Sequence, residues 1–331
     1  MKKILIIQTA FLGDVILATS LLEKLHHEFP DASIDFLLRK GNEGLFEGHP
    51  FINKVLIWER KINKYSNLQK IIQQIRRNKY DLLINLHRFG SSGILTIFSK
   101  AKQKIGFTKN PFSLFFSKRI KHIIGKNDNM FHEIDRNLML VSAYGNYERF
   151  LPRLYPSSND YDRTEAYRKV EYICIAPTSV WFTKQFPKEK WIEFINSIDE
   201  STHIYLLGSA VDQNLCNKII NETRKKNLLN FAGELNLLET AGLMKYAKMN
   251  FVNDSAPLHI ASAMNAAVTA IFCSTVPSFG FGPLSEKSII IQTNESMECR
   301  PCGLHGFKEC PEKHFECAYS INKEKLINAI L

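Results

Sequence analysis

Residues 251–264 read Phe-Val-Asn-Asp-Ser-Ala-Pro-Leu-His-Ile-Ala-Ser-Ala-Met, and residues 268–277 read Val-Thr-Ala-Ile-Phe-Cys-Ser-Thr-Val-Pro. A short apolar run, Asn250 to Val252, stops at Asn253-Asp254-Ser255; an apolar helical stretch follows, and a second β-branched run begins at Val268. That order predicts a strand, a turn, a helix and a parallel strand. In an open parallel sheet, ligands bind at the carboxyl ends of strands, where helix N-termini offer unpaired N–H groups and a partial positive charge to phosphates. Asp254, Ser255 and His259 therefore stand where a phosphorylated ligand would be held. An ordinary helix cap with a packed histidine one turn later would use the same residues.

Upstream of this stretch the pattern repeats. Tyr172 to Ala176 reads as a strand, Pro177-Thr178-Ser179 as a turn, and Trp181 to Pro187 as a loop leading into a helix over Trp191 to Ile198. Ile204 to Gly208 is the next strand, followed by Ser209 and Asp212; Asn230 to Gly233 is another sheet edge, Leu237 to Ala247 a helix, and Lys323 to Ile330 a final helix. Lys184, in the aromatic loop, could pair with a phosphate or lie on the surface.

The first half opens in the same way. Lys3 to Gln8 is an apolar strand, Thr9 to Gly13 a turn, and Val15 to Leu25 a helical pattern, which puts Asp14 at the mouth of the first βα turn. A carboxylate there can be a helix-end charge or a general base facing the ligand side of the sheet. Ser33 to Leu38, Val55 to Ile57 and Tyr80 to Leu86 are further strands, Asn67 to Asn78 is a basic helix, and another helix opens at Phe131-His132-Glu133. Pro152 to Arg163, with two prolines and no periodicity, reads as a linker, and its Asp160-Tyr161-Asp162 as solvated linker charge. The class is thus α/β, with two Rossmann-like parallel-sheet domains facing a central cleft: residues 1–155, residues 165–318, and a C-terminal helix over 319–331.

Charge is divided unevenly between these halves. Residues 1–150 hold 24 Lys+Arg against 13 Asp+Glu, leaving 19 against 20 for the rest, so all of the net +10 comes from the first half. An anionic partner follows for that half: nucleic acid, an acidic membrane surface or a phosphorylated acceptor. No nucleic-acid module is visible, and the aromatic residues are not interleaved with the basic ones as a single-strand platform requires. The apolar start after Met-Lys-Lys is interrupted by Gln8, Gly13 and Asp14, and no stretch approaches eighteen consecutive apolar residues, so neither export nor a membrane span is expected.

Three of the seven cysteines, Cys174, Cys216 and Cys273, lie singly in apolar surroundings and read as buried small hydrophobes. The others form Cys299-x2-Cys302-x7-Cys310-x6-Cys317 with His305 and His314 between them, a set that could bind structural zinc although it lacks the paired short spacings of a zinc ribbon.

Taken in order, the motifs resemble glycosyltransferase family 9, the ADP-heptose:lipopolysaccharide heptosyltransferases, within it the heptosyltransferase II type. The resemblance rests on Leu12-Gly13-Asp14, Phe29-Pro30, Tyr80-Asp81, Ile105-Gly106-Phe107, His132 to Arg136, Ser179 to Pro187 with Trp191, Asp254-Ser255 with His259, Thr275-Val276-Pro277 with Gly282-Pro283, and the cysteine-rich tail. It implies a GT-B fold and inverting transfer from a nucleotide-sugar, held mainly by the second domain, to an acceptor on the first. Asp14 matches the catalytic base and Lys184 a catalytic cation at the donor diphosphate. Thr178, Ser179, Asp212, Asp254, Ser255 and His259 match donor-binding positions, and His132 and Arg136 match a region near the anionic acceptor. With no well-placed Asp-x-Asp, no cofactor and no obligatory metal are implied. The implied partners are ADP-heptose, a lipopolysaccharide core acceptor and, peripherally, the inner face of the inner membrane, in the cytoplasm.

Ala256, Asn265 and Cys273 depart from the family pattern at positions where glycine, a Gly-x-Pro turn and glycine are usual. They leave two alternatives open: a family 9 transferase for a different nucleotide-sugar, or a nucleotide-sugar-binding homologue without turnover. A nicotinamide-dependent dehydrogenase is disfavoured, because the first turn is not Gly-x-Gly-x-x-Gly.

Overall fold

The structure, a computed structural model, describes residues 2–60, 62–124, 131–146 and 148–330. Two compact units divide the chain, one running to Ile124 and resuming from Phe131 to Tyr155, the other covering Pro156 onwards.

In the first unit the strands are β1 (Lys3–Ile7), β2 (Ser33–Arg39), β3 (Ile52–Trp58), β4 (Leu82–Asn85), β5 (Gln103–Phe107) and β6 (Lys118–Ile120). Its helices are α1 (Leu12–Glu28), α2 (Lys64–Asn78), α3 (Gly90–Phe98) and α4 (Glu133–Met139). All the pairings are parallel, in the order β3-β2-β1-β4-β5-β6. The central strands are continuous apolar runs because helices cover both faces of such a sheet; Ile4 to Ile7 and Leu82 to Ile84 are wholly buried.

The second unit repeats the arrangement with β7 (Tyr172–Ala176), β8 (His203–Leu206), β9 (Leu228–Asn230), β10 (Met249–Asn253), β11 (Val268–Phe272) and β12 (Ser288–Gln292). Its helices are α5 (Ser158–Thr164), α6 (Lys188–Ser197), α7 (Gln213–Glu222), α8 (Leu237–Tyr246), α9 (Ala256–Ala263), α10 (Glu316–Tyr319) and α11 (Glu324–Asn328). The parallel order is β12-β11-β10-β7-β8-β9. Phe194, Trp191, Phe251 and Ile271 form its core, and the terminal helix contributes Leu326 to the same core.

Both sheets therefore reverse their order between the first and fourth strands of the unit. Ligand crevices form at such reversals, outside the carboxyl ends of the strands. They fall at β1 and β4 in one unit and at β7 and β10 in the other, which are the strands that lead into Asp14, His87, Thr178 and Asp254.

One expectation is corrected outright. The stretch read as an irregular linker contains α5, and its start is a capping box: the Ser157 Oγ accepts from the Asp160 N–H at 3.3 Å, and the Asp160 carboxylate accepts from the Ser157 N–H at 2.7 Å. Asp160 is thus a helix cap, and Tyr161 packs edge-on to Tyr246 of α8 at 6.0 Å. The short strand expected at Val55 to Ile57 extends to seven residues. Strands β5, β6 and β12 and helices α3 and α7 were not visible in the residue pattern. Cys174, Cys216 and Cys273 are buried, as their surroundings indicated.

Candidate active site

In the first unit the chain leaves β1 through Gln8 and Thr9 and enters α1 at Leu12, so Asp14 is the third residue of the helix. The N-cap residue, Phe11, offers no side-chain cap. The backbone N–H dipoles of Phe11 and of Asp14 itself favour the ionised form of the Asp14 carboxyl. Burial opposes them and dominates; with repulsion from Glu133 it lifts the carboxyl to about 6, against attraction from Arg88. The residue as a whole is only partly buried, so the carboxyl is enclosed while its backbone borders solvent-facing positions of the turn. A carboxyl held near neutral pH at a ligand crevice has the property a general base needs.

Cations gather around it. Arg39 and Arg60 repel one another, His87 feels Arg60, Arg88 and Arg39, and Lys109 feels Arg88 and Arg136. Burial and these neighbours push His87 down to about 4, so it is neutral at physiological pH. Its Nδ1 shares a 2.9 Å hydrogen bond with the Thr9 hydroxyl, joining the turns that follow β4 and β1. Arg60 donates to the Thr9 carbonyl oxygen at 3.5 Å, and the Arg39 guanidinium lies 4.7 Å from the Phe11 ring. Arg39, Arg60 and Arg88 are half-buried and Lys109 is exposed. Such a concentration of positive charge at one sheet end suits a ligand with several anionic groups.

His132 and Arg136 stand deeper. His132 caps α4, its Nδ1 accepting from the Ile134 N–H at 3.2 Å. Arg136 is 1% exposed and donates to Glu133 at 2.7 Å and to the Phe131 carbonyl at 2.6 Å. Glu133 also meets His122 Nε2 at 3.3 Å. Burial alone would raise the Glu133 carboxyl, but His122 and Arg136 outweigh it and hold it near 2. It is a fixed negative charge that acts on Asp14.

In the second unit the turns after β7 and β10 meet through Asn253. The Asn253 amide donates to the Ala176 and Thr178 carbonyls, each at 3.3 Å, and its oxygen accepts from the Phe186 N–H at 2.9 Å. This brings the Thr178-Ser179 turn, the Lys184 loop and the start of α9 together. Gln185 adds a 2.7 Å bond to the Ser179 carbonyl. The Lys184 ammonium lies 2.7 Å from the Asp254 carboxylate, which also accepts from the Thr275 hydroxyl at 2.6 Å. Ser255 is the N-cap residue of α9 with no side-chain cap, so its hydroxyl is not spent on the first-turn amides. His259 is buried one turn into α9, its ring 6.4 Å from Phe281.

Asp212 follows β8 rather than β7 or β10. Its carboxylate closes a capping box, accepting from the Ser209 N–H at 2.8 Å and the Ser209 hydroxyl at 2.5 Å. The departures noted in the sequence are accommodated locally. Ala256 is the first residue of α9 and needs no left-handed backbone, whereas Asn265 adopts φ 49°, a region asparagine tolerates. Among the described residues no three or more His, Cys, Asp or Glu side chains are placed to hold a metal ion, and all seven cysteines are free.

Comparison with known proteins decides what this geometry belongs to. The sequence profile of glycosyltransferase family 9 (heptosyltransferase) matches residues 68–310. The chain belongs to glycosyltransferase family 9. This family 9 enzyme is 25% identical over 279 residues to lipopolysaccharide heptosyltransferase 3 of Escherichia coli, covering 80% of this chain and 82% of that one. It is 24% identical over 321 residues to lipooligosaccharide heptosyltransferase 2 of Haemophilus ducreyi, covering 88% of each. Among solved structures, the E. coli ADP-heptose LPS heptosyltransferase II is similar with a TM-score of 0.81 at 20% identity, over 100% of this chain and 97% of that one. A family 9 glycosyltransferase from Veillonella parvula has a TM-score of 0.86 at 20% identity, over 99% and 96%. The two Rossmann-like sheets are those of the GT-B fold.

Residue reasoning singled out Asp14, Lys184 and Asp254 but assigned no role to Asn253, Thr275, His87 or the arginines near Asp14. Asn253 stood in the quoted turn, and its signal was available: an asparagine ending a buried apolar strand needs partners for three polar bonds.

Proposed function

We propose that this glycosyltransferase moves a heptose from ADP-heptose to the anionic inner core of a lipopolysaccharide, with inversion. The acceptor hydroxyl oxygen forms the new bond to the anomeric carbon as the bond from that carbon to the diphosphate oxygen breaks. Asp14 takes the hydroxyl proton, and ADP leaves with the bonding electron pair. Lys184 and the first-turn amides at Ser255 and Ala256 meet the charge that grows on the departing diphosphate. Thr178, Ser179, Asp212, Asp254 and His259 line the donor side. Arg39, Arg60, Arg88 and Lys109 receive the anionic groups of the acceptor, while His132 and Arg136 act from beneath, through α4 and Glu133.

The observation that carries this reading is a buried carboxyl at the order reversal of its sheet, with Arg39 and Arg88 near enough to act on it. The names of the relatives supply the sugar and the acceptor class. No helix among the described residues is long and apolar enough to cross a membrane; the excess charge of the first unit suits a peripheral position at the anionic inner face of the inner membrane, in the cytoplasm. Incubation with ADP-heptose and a truncated core acceptor tests the whole proposal. Consumption of another nucleotide-sugar with none of ADP-heptose would move the assignment to a family 9 enzyme for a different sugar.

Two measurements address the basic cluster. Salt should raise the acceptor KM more than the donor KM, since exposed charges are screened over a Debye length of about 10 Å at 0.1 M. Arg88→Gln should lose part of that difference. It should also move the acid limb of the pH–rate profile upward, because Arg88 attracts the ionised Asp14 carboxylate and so lowers its pKa. Equal salt dependence for both substrates would make the cluster ordinary solvated surface.

A further inference from the structure

The tail beyond β12 makes no regular element between Gln292 and Glu316, yet part of it is bound closely to the loop that carries Lys184. Thr183 donates its N–H to the Phe307 carbonyl at 3.1 Å, and the Phe307 N–H returns a 2.8 Å bond to the Thr183 hydroxyl. The Ser274 hydroxyl donates to the same Thr183 oxygen at 3.0 Å, and the Cys302 N–H donates to the Ser274 carbonyl at 2.9 Å. These bonds lie mostly out of water: Thr183 and Ser274 have no exposed surface.

Gly306 makes the approach possible. Its φ is +76°, and a β-carbon there would come 2.8 Å from the Thr183 hydroxyl oxygen and 3.0 Å from Lys184 Cγ. Arg300 fastens the other end of the segment. Its guanidinium donates to the carbonyls of Cys273 at 2.7 Å, Thr275 at 2.8 Å and Phe272 at 3.3 Å, and to Gln292 Oε1 at 2.8 Å. Thr275 is the residue whose hydroxyl holds the Asp254 carboxylate. One segment thus touches the Lys184 stem on one side and fixes the partner of its counter-ion on the other.

We propose that residues 300–307 form a positioning clamp for the diphosphate site, with Arg300, Gly306 and Thr183 as its positioning residues. The clamp sets where the Lys184 ammonium stands, and donor affinity depends on it although none of the three needs to touch the donor. This inference rests on the reading of Lys184 as a diphosphate ligand. A hydroxyl bonded from two sides and a glycine with no room for a methyl group are more than a tail needs in order to lie on a surface.

The test measures ADP affinity by calorimetry, together with donor and acceptor KM and the Tm, in Gly306→Ala, Thr183→Val, Thr183→Ser and Lys184→Ala. Gly306→Ala and Thr183→Val should each weaken ADP about tenfold, the order of one weakened hydrogen bond to a charged group. The donor KM should rise while the acceptor KM stays put. Thr183→Ser, which keeps the hydroxyl, should bind ADP as the wild type does. A purely structural role would lower Tm without changing the dissociation constant of the folded protein. If Gly306→Ala does not fold, the contrast between Thr183→Val and Thr183→Ser decides. Wild-type ADP affinity in Thr183→Val, in a protein where Lys184→Ala does weaken ADP, overturns the clamp alone. Wild-type affinity in Lys184→Ala overturns the donor-site reading, and the clamp with it.

Discussion

Asp14→Asn is expected to cut turnover by about 10²–10⁴-fold, the usual contribution of a general base, while leaving ADP affinity close to wild type and the protein no less stable. The first effect follows from losing the proton acceptor. The second follows because the proposed donor contacts all lie in the other unit. The third rests on a sign. Burial raises the Asp14 carboxyl from 3.8 to about 6, so folding takes up protons between those values. Stability contributed by this group therefore falls as pH rises through that window and is flat above it, where the ionised carboxylate is a net burden on the fold. Asparagine removes the burden. Thermal melts near pH 7.5 should show an unchanged or higher Tm, and the wild-type rate should fall on acidification through about 6. A near-full rate in Asp14→Asn at saturating substrates would reduce Asp14 to a helix-end charge.

Lys184→Ala should weaken both ADP binding and transfer, the latter by about 10²–10³-fold, as when one donor to a developing oxyanion is removed. Loss of attraction is only part of the reason. The ammonium sits 2.7 Å from Asp254, and truncating it leaves that largely buried carboxylate to repel the diphosphate. Lys184→Ala combined with Asp254→Asn should accordingly recover part of the ADP affinity lost in the single variant. Dissociation constants for the wild type, both singles and the double form a cycle that isolates the coupling. Strict additivity would mean that Lys184 and Asp254 serve the donor independently.

Much of the architecture was legible because buried parallel strands are apolar runs that end at polar or small residues. Met249–Asn253, Ala256–Ala263 and Val268–Phe272 lie within a residue or two of where the quoted stretch put them. The failures share a cause. Lys118–Ile120 is short, charged and at a sheet edge, where one face has no core to imprint a pattern. Helix α5 has little apolar periodicity, and only its Ser157-x-x-Asp160 cap could have disclosed it. For the site, the motif residues were visible in sequence, but their tuning was not. Glu133 acts on Asp14 from more than a hundred residues away, and Thr183 meets Phe307 across 124 residues. Such separations leave no periodicity in a single chain.

Asn253 has a consequence for how this scaffold can change its substrate. Its side chain spends two donors and an acceptor on three backbone groups, two in the turn after β7 and one in the Lys184 loop. Aspartate would keep the acceptor and forfeit the donors, and leucine would forfeit all three bonds while filling a similar volume. The turn that precedes Lys184 and the turn that opens α9 are consequently locked in a single register. Under the proposed donor reading, changes of sugar preference would come from the side chains bordering that frame, such as His259 or Ala256, since altering the frame would shift Thr178, Lys184 and Asp254 together.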